Sequence, residues 1–244
     1  MKAWYEEHFQ EDYLRVYDHR DETKAASELN TIMEKIPLTP GAKAIDLCCG
    51  NGRHARWLAR KGVDVTGIDL SPALLKKAIE LTNGLAVQYQ RGDIRNVQIR
   101  KEYDLAFNLF TSFGYFPDDE ENELIFQQAA SALKPGGWFV FDYLNPEYIK
   151  QHIVPRDETV KDGLKIYQER SIQDEFVVKR ISIVEGDSTR RYMEKVKMYQ
   201  ESQLRSMMEA HGLQIHAFYG DYDASPFQLE ASPRQIFIAQ LAEQ

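Results

Sequence analysis

The chain has 244 residues, 43% hydrophobic and 28% charged, with a formal net charge of −8, a length that suits one large α/β domain with a small appendage. The acid excess speaks against a nucleic-acid partner, whose phosphates favour a basic face, and no apolar run approaches the ~20 residues of a membrane-spanning helix. The acidic, aromatic start MKAWYEEHFQEDY does not read as a signal peptide, and the adjacent pair Cys48 and Cys49 fits a reducing cytoplasm rather than a disulfide framework.

Residues 3–18 and 22–35 read as helices separated by the charged stretch 18–22, and Pro37 and Pro40-Gly41 close this helical cap, 1–36. Short apolar runs then alternate with amphipathic helices, the pattern of a mostly parallel sheet covered on both faces. Lys43–Cys48 is a strand followed by a helix over Arg53–Lys61. Val63–Asp69 is the next strand, and its helix Pro72–Leu81 has Ser71 as cap and Pro72 in the first turn, where its missing N–H is no loss. Leu85–Tyr89 and Tyr103–Phe110 are further strands. A helix over Glu120–Leu133 stops at Pro135-Gly136-Gly137, and Trp138–Tyr143 is strand five.

After strand five the pattern changes. Leu164–Ser171, Glu175–Glu185 and Thr189–Tyr199 are rich in Val, Ile and Tyr with alternating charge, and read as three antiparallel strands inserted over 151–200. A helix over Glu201–Ala210 ends at Gly212, and Leu213–Tyr219 and Arg234–Leu241 close the sheet. The expectation is a Rossmann-like doubly wound α/β fold of about seven mostly parallel strands, formed by 37–150 and 201–244. The small antiparallel insert falls between strand five and the next helix.

The segment Ala44–Ala55 carries the functional signal. It is a strand, a small-residue turn and a helix start, in which Gly50 and Gly52 let the backbone turn tightly and approach a ligand closely. Asp69 ends the second strand 17 residues after Gly52, where a carboxylate accepts hydrogen bonds from ribose hydroxyls. Gly50 to Ala55 also fits the G-x-G-x-x-A dinucleotide fingerprint, so an NAD(P)-dependent oxidoreductase is an alternative. Two features weigh against it. Asp46 at the mouth of the loop would repel a pyrophosphate and suits a cation such as an amino-acid ammonium. The Tyr-x-x-x-Lys pair of many small reductases is absent.

Asp46–Gly52 resembles motif I of the class I S-adenosylmethionine-dependent methyltransferases, D/E-x-G-x-G-x-G, with Cys48 where the first glycine is usual. Gly67-Ile68-Asp69-Leu70-Ser71 resembles the family's ribose-binding motif and Gly92-Asp93-Ile94 the adenine-binding one. Leu133-Lys134-Pro135-Gly136-Gly137 matches the turn before strand five, so the landmarks run in order across 43–143. Asn108-Leu109-Phe110-Thr111-Ser112-Phe113-Gly114-Tyr115 is similar to the loop of sugar-amine N-methyltransferases and their bacterial relatives, which also carry an antiparallel insert. The resemblance implies S-adenosylmethionine as cofactor, S-adenosylhomocysteine as product, and methyl transfer to a small acceptor, amine or hydroxyl. A non-catalytic cofactor-binding protein on this fold is the remaining alternative.

The residues expected at the cofactor are Asp46, Cys48, Gly50, Asn51, Gly52, Asp69, Leu70, Asp93, Ile94, Asn108 and Tyr13, with Tyr17 a further candidate. Phe113, Tyr115 and Phe116 are candidates for the acceptor wall, His54 for a general base, and Arg190, Arg191 and Tyr192 for an anionic acceptor. Each also has a plain structural reading as packing, a cap or a solvated face. Cysteine chemistry of the cytosine carbon-five kind needs a cysteine after strand four, and none is there. The Asn/Asp-Pro-Pro-Tyr/Phe loop of adenine and glutamine amine methylation is absent too. No metal, nucleic-acid or membrane partner is expected, the acceptor is a small molecule, and the assembly is a monomer or homodimer.

Overall fold

A computed structural model describes residues 3–17 and 21–243. Its larger sheet has seven strands: β1 (Lys43–Leu47), β2 (Asp64–Asp69), β3 (Val87–Arg91), β4 (Tyr103–Asn108), β5 (Leu133–Leu144), β10 (Leu213–Tyr219) and β11 (Arg234–Leu241). The order is β10-β11-β5-β4-β1-β2-β3, with β11 antiparallel to both neighbours and the other pairings parallel. The chain therefore builds outward from β1 to β3, then returns to place β4 on the other side of β1. In an open α/β sheet, ligands bind beyond the strand ends at such a reversal.

Alternation within the strands explains their near-continuous apolar runs. Ile45 and Leu47, Phe139, Phe141 and Tyr143, and Phe237 and Ala239 enter one core with Phe126 of α6 (Asp119–Ala132) and Leu204 and Met208 of α8 (Glu201–Ala210). Ala44, Leu105, Phe107, Val140, Ile236 and Ile238 enter a second core with Leu29 and Ile32 of α3 (Glu22–Met33) and Leu58 of α4 (Arg53–Ala59). Both faces of the sheet are thus covered. Ser71 caps as its sequence signals, its Oγ accepting from Leu74 N at 3.1 Å at the start of α5 (Pro72–Leu81), and the structure adds a second cap, Asp21, which accepts from Lys24 N at 3.0 Å before α3.

Four departures from the sequence expectation have local causes. The helix expected over 3–18 is two helices, α1 (Trp4–His8) and α2 (Glu11–Val16), because the Phe9 carbonyl accepts from Ser71 Oγ at 2.5 Å and the chain turns there. Residues 18–20 of the expected charged separator lie outside the described residues. A short helix, α7 (Pro146–His152), follows β5, capped by Asn145, whose Oδ1 accepts from Glu147 N at 3.1 Å. The insert has four antiparallel strands rather than three: β6 (Arg156–Lys161), β7 (Leu164–Gln173), β8 (Phe176–Glu185) and β9 (Ser188–Lys197). β6 is an exposed edge strand whose polar sequence RDETVK lacks the apolar alternation that marks the others. Lastly, β5 begins at Leu133. The ladder steps from Tyr103↔Leu133 to Leu105↔Trp138, so Lys134–Gly137 loop out between two paired positions, with Gly136 at φ 75°.

The insert packs on the N-terminal helices. Its small core of Leu164, Ile166, Ile181 and Ile183 is met by Val16, and Asp12 of α2 accepts from Arg190 Nε at 2.5 Å and from Tyr192 Oη at 2.6 Å. His8 Nε2 lies 2.8 Å from Glu194 Oε1, which also accepts from Tyr17 Oη at 2.6 Å. Glu194 is held down to about 2: burial opposes this, but the His8 hydrogen bond, the Lys179 charge and Tyr17 outweigh it.

Candidate active site

The glycine turn leaves β1 in a rare backbone conformation. Cys48, Gly50 and Gly52 have φ of 66°, 57° and 73°, all left-handed. Gly52 has a second reason to lack a side chain, since a Cβ there would fall 2.8 Å from Tyr89 Cζ. Cys48 adopts a conformation that costs an L-residue roughly 1–2 kcal/mol, which is the physical reason for glycine at its place in the motif. The turn is held by Cys49 N donating to Ile68 O at 2.9 Å and Gly52 N donating to Cys49 O at 3.0 Å.

Two acids flank this turn with different partners. Asp69, at the end of β2, accepts from Gly50 N and Ser71 N, both at 2.8 Å, which aims its carboxylate at the turn. Burial raises its pKa against the opposing pull of those backbone donors. Asp46 is 2% exposed, and its Oδ2 has no hydrogen-bond partner among the described residues. Burial first, then the charge of Asp69, push its carboxyl well above the usual range, opposed by Arg53.

A single cavity collects Asp46, Cys48, Gly50, Asn51 and Asp69 from the sheet ends, Tyr13 and Tyr17 from the N-terminal segment, and Tyr115 from the loop after β4. Gly52 lies behind that wall against Tyr89. Leu70 lines an adjoining cleft with Tyr5, Gln10 and Arg91. Asn108 is fully buried outside the cavity lining; its Nδ2 donates to Leu47 O at 2.8 Å and Ser112 O at 3.2 Å, tying β1 to that loop.

Other candidates stand elsewhere. The Asp93 carboxylate is engaged by Arg95, with Nη2 at 2.6 Å and Nε at 3.0 Å, and Ile94 packs against the core. Phe113 is not a cavity wall: it is 3% exposed and centred among Phe126, Phe141, Tyr143 and Tyr199, with centroids 5.0–5.5 Å away. The loop turns it inward onto the α6 face. Phe116 stacks edge-on with Tyr5 and under Arg95 instead. Arg190 and Tyr192 are committed to Asp12, and Arg191 lies exposed on β9.

His54 lines the cavity with Nε2 2.8 Å from Glu28 Oε2. Burial first, then the charge of Arg53, lower its pKa to about 4 against the pull of Glu28, so at neutral pH the ring is neutral. The expectation from sequence did not include Phe9, Leu14, Arg53, Phe110 and Ser112, which also line the cavity. Phe110 and Thr111 both have left-handed backbones, φ 60° and 61°. The corner is fixed by Asp142, which is fully buried and accepts from Phe110 N at 2.7 Å, Tyr222 Oη at 2.6 Å and Arg234 Nε at 2.7 Å.

Among the described residues no cluster of His, Cys, Asp or Glu is placed to hold a metal ion, and no helix is long and apolar enough to cross a membrane.

Comparison with known proteins agrees with this geometry. Residues 44–137, which contain the glycine turn, Asp69 and the start of β5, match a family model described as a methyltransferase domain. A ubiquinone biosynthesis O-methyltransferase of Chromobacterium violaceum is 29% identical over 53% of this chain and 57% of its own length. A dTDP-3-amino-3,4,6-trideoxy-alpha-D-glucopyranose N,N-dimethyltransferase of Streptomyces venezuelae is 26% identical over 64% and 67%. The chain thus spans little more than half the length of several curated relatives it matches. The crystal structure of an S-adenosylmethionine-dependent methyltransferase from Clostridium acetobutylicum shares the fold, with a TM-score of 0.81 at 22% identity over 95% of this chain and 98% of that one. Residues 44–137 thus match a methyltransferase-domain family, and the seven-stranded fold that contains them is shared with that crystal structure.

Proposed function

We propose that the chain transfers a methyl group from S-adenosylmethionine to a small-molecule acceptor bearing an amine or a hydroxyl. The observation that carries this reading is the unpartnered, buried Oδ2 of Asp46 beside the glycine turn. An orphan acceptor of that kind fits an ammonium donor and opposes a pyrophosphate. Asp69 has backbone donors fixing its direction and keeps lone pairs for ribose hydroxyls. The N- and O-methyltransferase relatives support both acceptor atoms equally.

S-adenosylmethionine supplies an activated sulfonium methyl, so in-line displacement needs no covalent enzyme intermediate. The protein's task is alignment and exclusion of water. Tyr13, Tyr17 and Phe9 close the cavity from the N-terminal side and Tyr115 from the other. Burial holds the Tyr115 phenol well above its usual value, so this wall stays uncharged. The insert is the proposed acceptor-side wall. Its last strand donates Lys197 N to Gly114 O at 2.8 Å, fastening it to the loop that carries Tyr115. Asp93, Ile94 and Leu70 remain proposed contacts for the nucleoside end. A reducing cytoplasm is the proposed compartment, supported by the free thiols of Cys48 and Cys49.

Titration with S-adenosylhomocysteine against NAD(H), followed by an acceptor screen read as S-adenosylhomocysteine release, tests the reading. Binding of S-adenosylhomocysteine alone is expected, and binding of NAD(H) alone would overturn it.

A further inference from the structure

The two helices beside the cavity are too short to hold their own shape. α1 has five residues and α2 six, and Gln10, which precedes α2, makes no side-chain cap bond. Isolated helices below roughly 12–15 residues are marginal in water. The wall that Phe9, Tyr13 and Tyr17 present to the cavity therefore depends on what fastens this segment from outside.

The rings along the segment form a series. His8 lies edge-on to Tyr13 with centroids 5.3 Å apart, and Tyr13 lies 4.5 Å from Tyr17. One oxygen of the insert joins the two ends of that series: Glu194 Oε1 is 2.8 Å from His8 Nε2 and accepts from Tyr17 Oη at 2.6 Å. Directly across the β8–β9 ladder from Glu194 stands Lys179. Its ammonium donates to the same Tyr17 hydroxyl and lies 4.6 Å from the centroid of that ring. A phenol hydroxyl both donates and accepts, and two facing positions of the insert supply one partner of each kind. Among the described residues, neither Lys179 nor Glu194 lines the cavity, whereas Tyr17 does. The pair reaches a ligand there only through Tyr17. Asp12 gives the contrast, being held by Arg190 and Tyr192 of the same strand β9 but lying outside the cavity lining.

We propose that Lys179 and Glu194 are positioning residues for the cofactor: they seat the Tyr17 hydroxyl, and the inserted sheet thereby sets how tightly the N-terminal wall closes on S-adenosylmethionine. This rests on the cofactor reading above and gives the insert a second task besides walling the acceptor side. The glycine turn and Asp69 keep their own backbone fastenings, so a loosened wall weakens the complex without abolishing it.

Calorimetric titration with S-adenosylhomocysteine, at a temperature where circular dichroism shows each variant folded, tests this. Tyr17→Phe and Glu194→Gln are each expected to weaken binding roughly 3- to 10-fold, the range of one lost hydrogen bond. The double variant is expected to bind no more weakly than the worse of the two singles, since both remove the same contact. Arg190→Gln, which loosens the same strand at Asp12, is expected to stay within about twofold. If Glu194→Gln fails to fold, Lys179→Met takes its place with the same expectation. Additive losses would overturn the proposal, because the hydroxyl and the insert would then act separately. Unchanged affinity in the single variants, or an equal loss in Arg190→Gln, would overturn it too. Hydrogen exchange of the unliganded protein reads the seat without a ligand: amides of 4–16 are expected to exchange faster in Glu194→Gln and those of 43–69 at the wild-type rate. Unaltered exchange at 4–16 would overturn the seat. A wild-type protein that binds no S-adenosylhomocysteine, with that exchange difference present, would instead overturn the cofactor reading.

Discussion

The ring of Tyr89 occupies the space a side chain on Gly52 would need: a Cβ built there meets Tyr89 Cζ at 2.8 Å. Gly50, two residues earlier, has only Leu74 Cδ1 near the same point, at 4.0 Å. Both have left-handed backbones. Gly50→Ala is therefore expected to cost about 1–2 kcal/mol from the backbone alone, and Gly52→Ala a further ~1–3 kcal/mol from the displaced ring. Chemical denaturation of the two variants measures the difference. A second substitution, Tyr89→Ala, should return part of the Gly52→Ala increment and none of the Gly50→Ala loss.

On the proposed function, Asp46 links cofactor binding to protons. Its raised pKa favours the protonated carboxyl in the free protein, whereas an ammonium ligand requires the carboxylate. Binding of S-adenosylhomocysteine should release protons, and its affinity should fall as pH is lowered through that raised pKa. Calorimetry in buffers of different ionisation enthalpy reads the proton count. A folded-state pKa above the unfolded value also means that Asp46 contributes stability at low pH and loses it as pH rises through the folded pKa. Asp46→Asn should remove both dependences and leave the unliganded protein at least as stable as wild type at neutral pH.

His54 has the opposite sign. Its folded pKa of about 4 lies below the ordinary 6.5, so the unfolded chain takes up a proton first as pH falls. Stability attributable to the neutral ring is full above pH 6.5 and drains between 6.5 and about 4, by at most about 1.4 kcal/mol per pH unit. Denaturation midpoints measured across that window should fall in wild type and fall less in His54→Gln. Glu28, also held below its usual range, adds to the acid loss only in the lower part of the window.

Both thiols should be poor nucleophiles. Burial, followed by the nearby carboxylates Asp69 and Asp46, pushes the pKa of Cys48 and Cys49 well above the ordinary thiol value. Reaction with iodoacetamide at pH 8 should be slow in the native protein and fast in denaturant, where both groups regain their normal acidity. Rapid native labelling of either would contradict the packing described.

What the sequence made readable was local. The strand, glycine turn and helix at 43–59, and the Ser71-Pro72 start of α5, are marked by residues within one or two turns of their effect. The break at Phe9 is not: it depends on Ser71, 62 positions away. β6 has no alternation to betray it, because an exposed edge strand is held by its ladder with β7. In the loop after β4, no period says which aromatic turns inward, so Phe113 and Tyr115 look alike in sequence and diverge in space. Arg53 sits beside the most recognisable residues of the chain. Its unpartnered Nη2 becomes visible only once Nη1 is seen on Glu28 and the guanidinium over the Phe110 ring.

The corner at Phe110 and Thr111 has a consequence for the order in which the chain can finish folding. Arg234 reaches Asp142 and Thr111 Oγ1, a contact across 123 positions, and Tyr222 joins from 80 positions beyond Asp142. The glycine turn and Asp69 are complete within the first third of the chain, whereas two adjacent left-handed residues at the other side of the cavity are secured from its last tenth. Closing so long a loop costs entropy before its contacts return anything. A growing or C-terminally truncated chain would therefore hold the glycine turn and Asp69 without a settled corner at Phe110 and Thr111, and the last strand to pair is the one that completes the cavity.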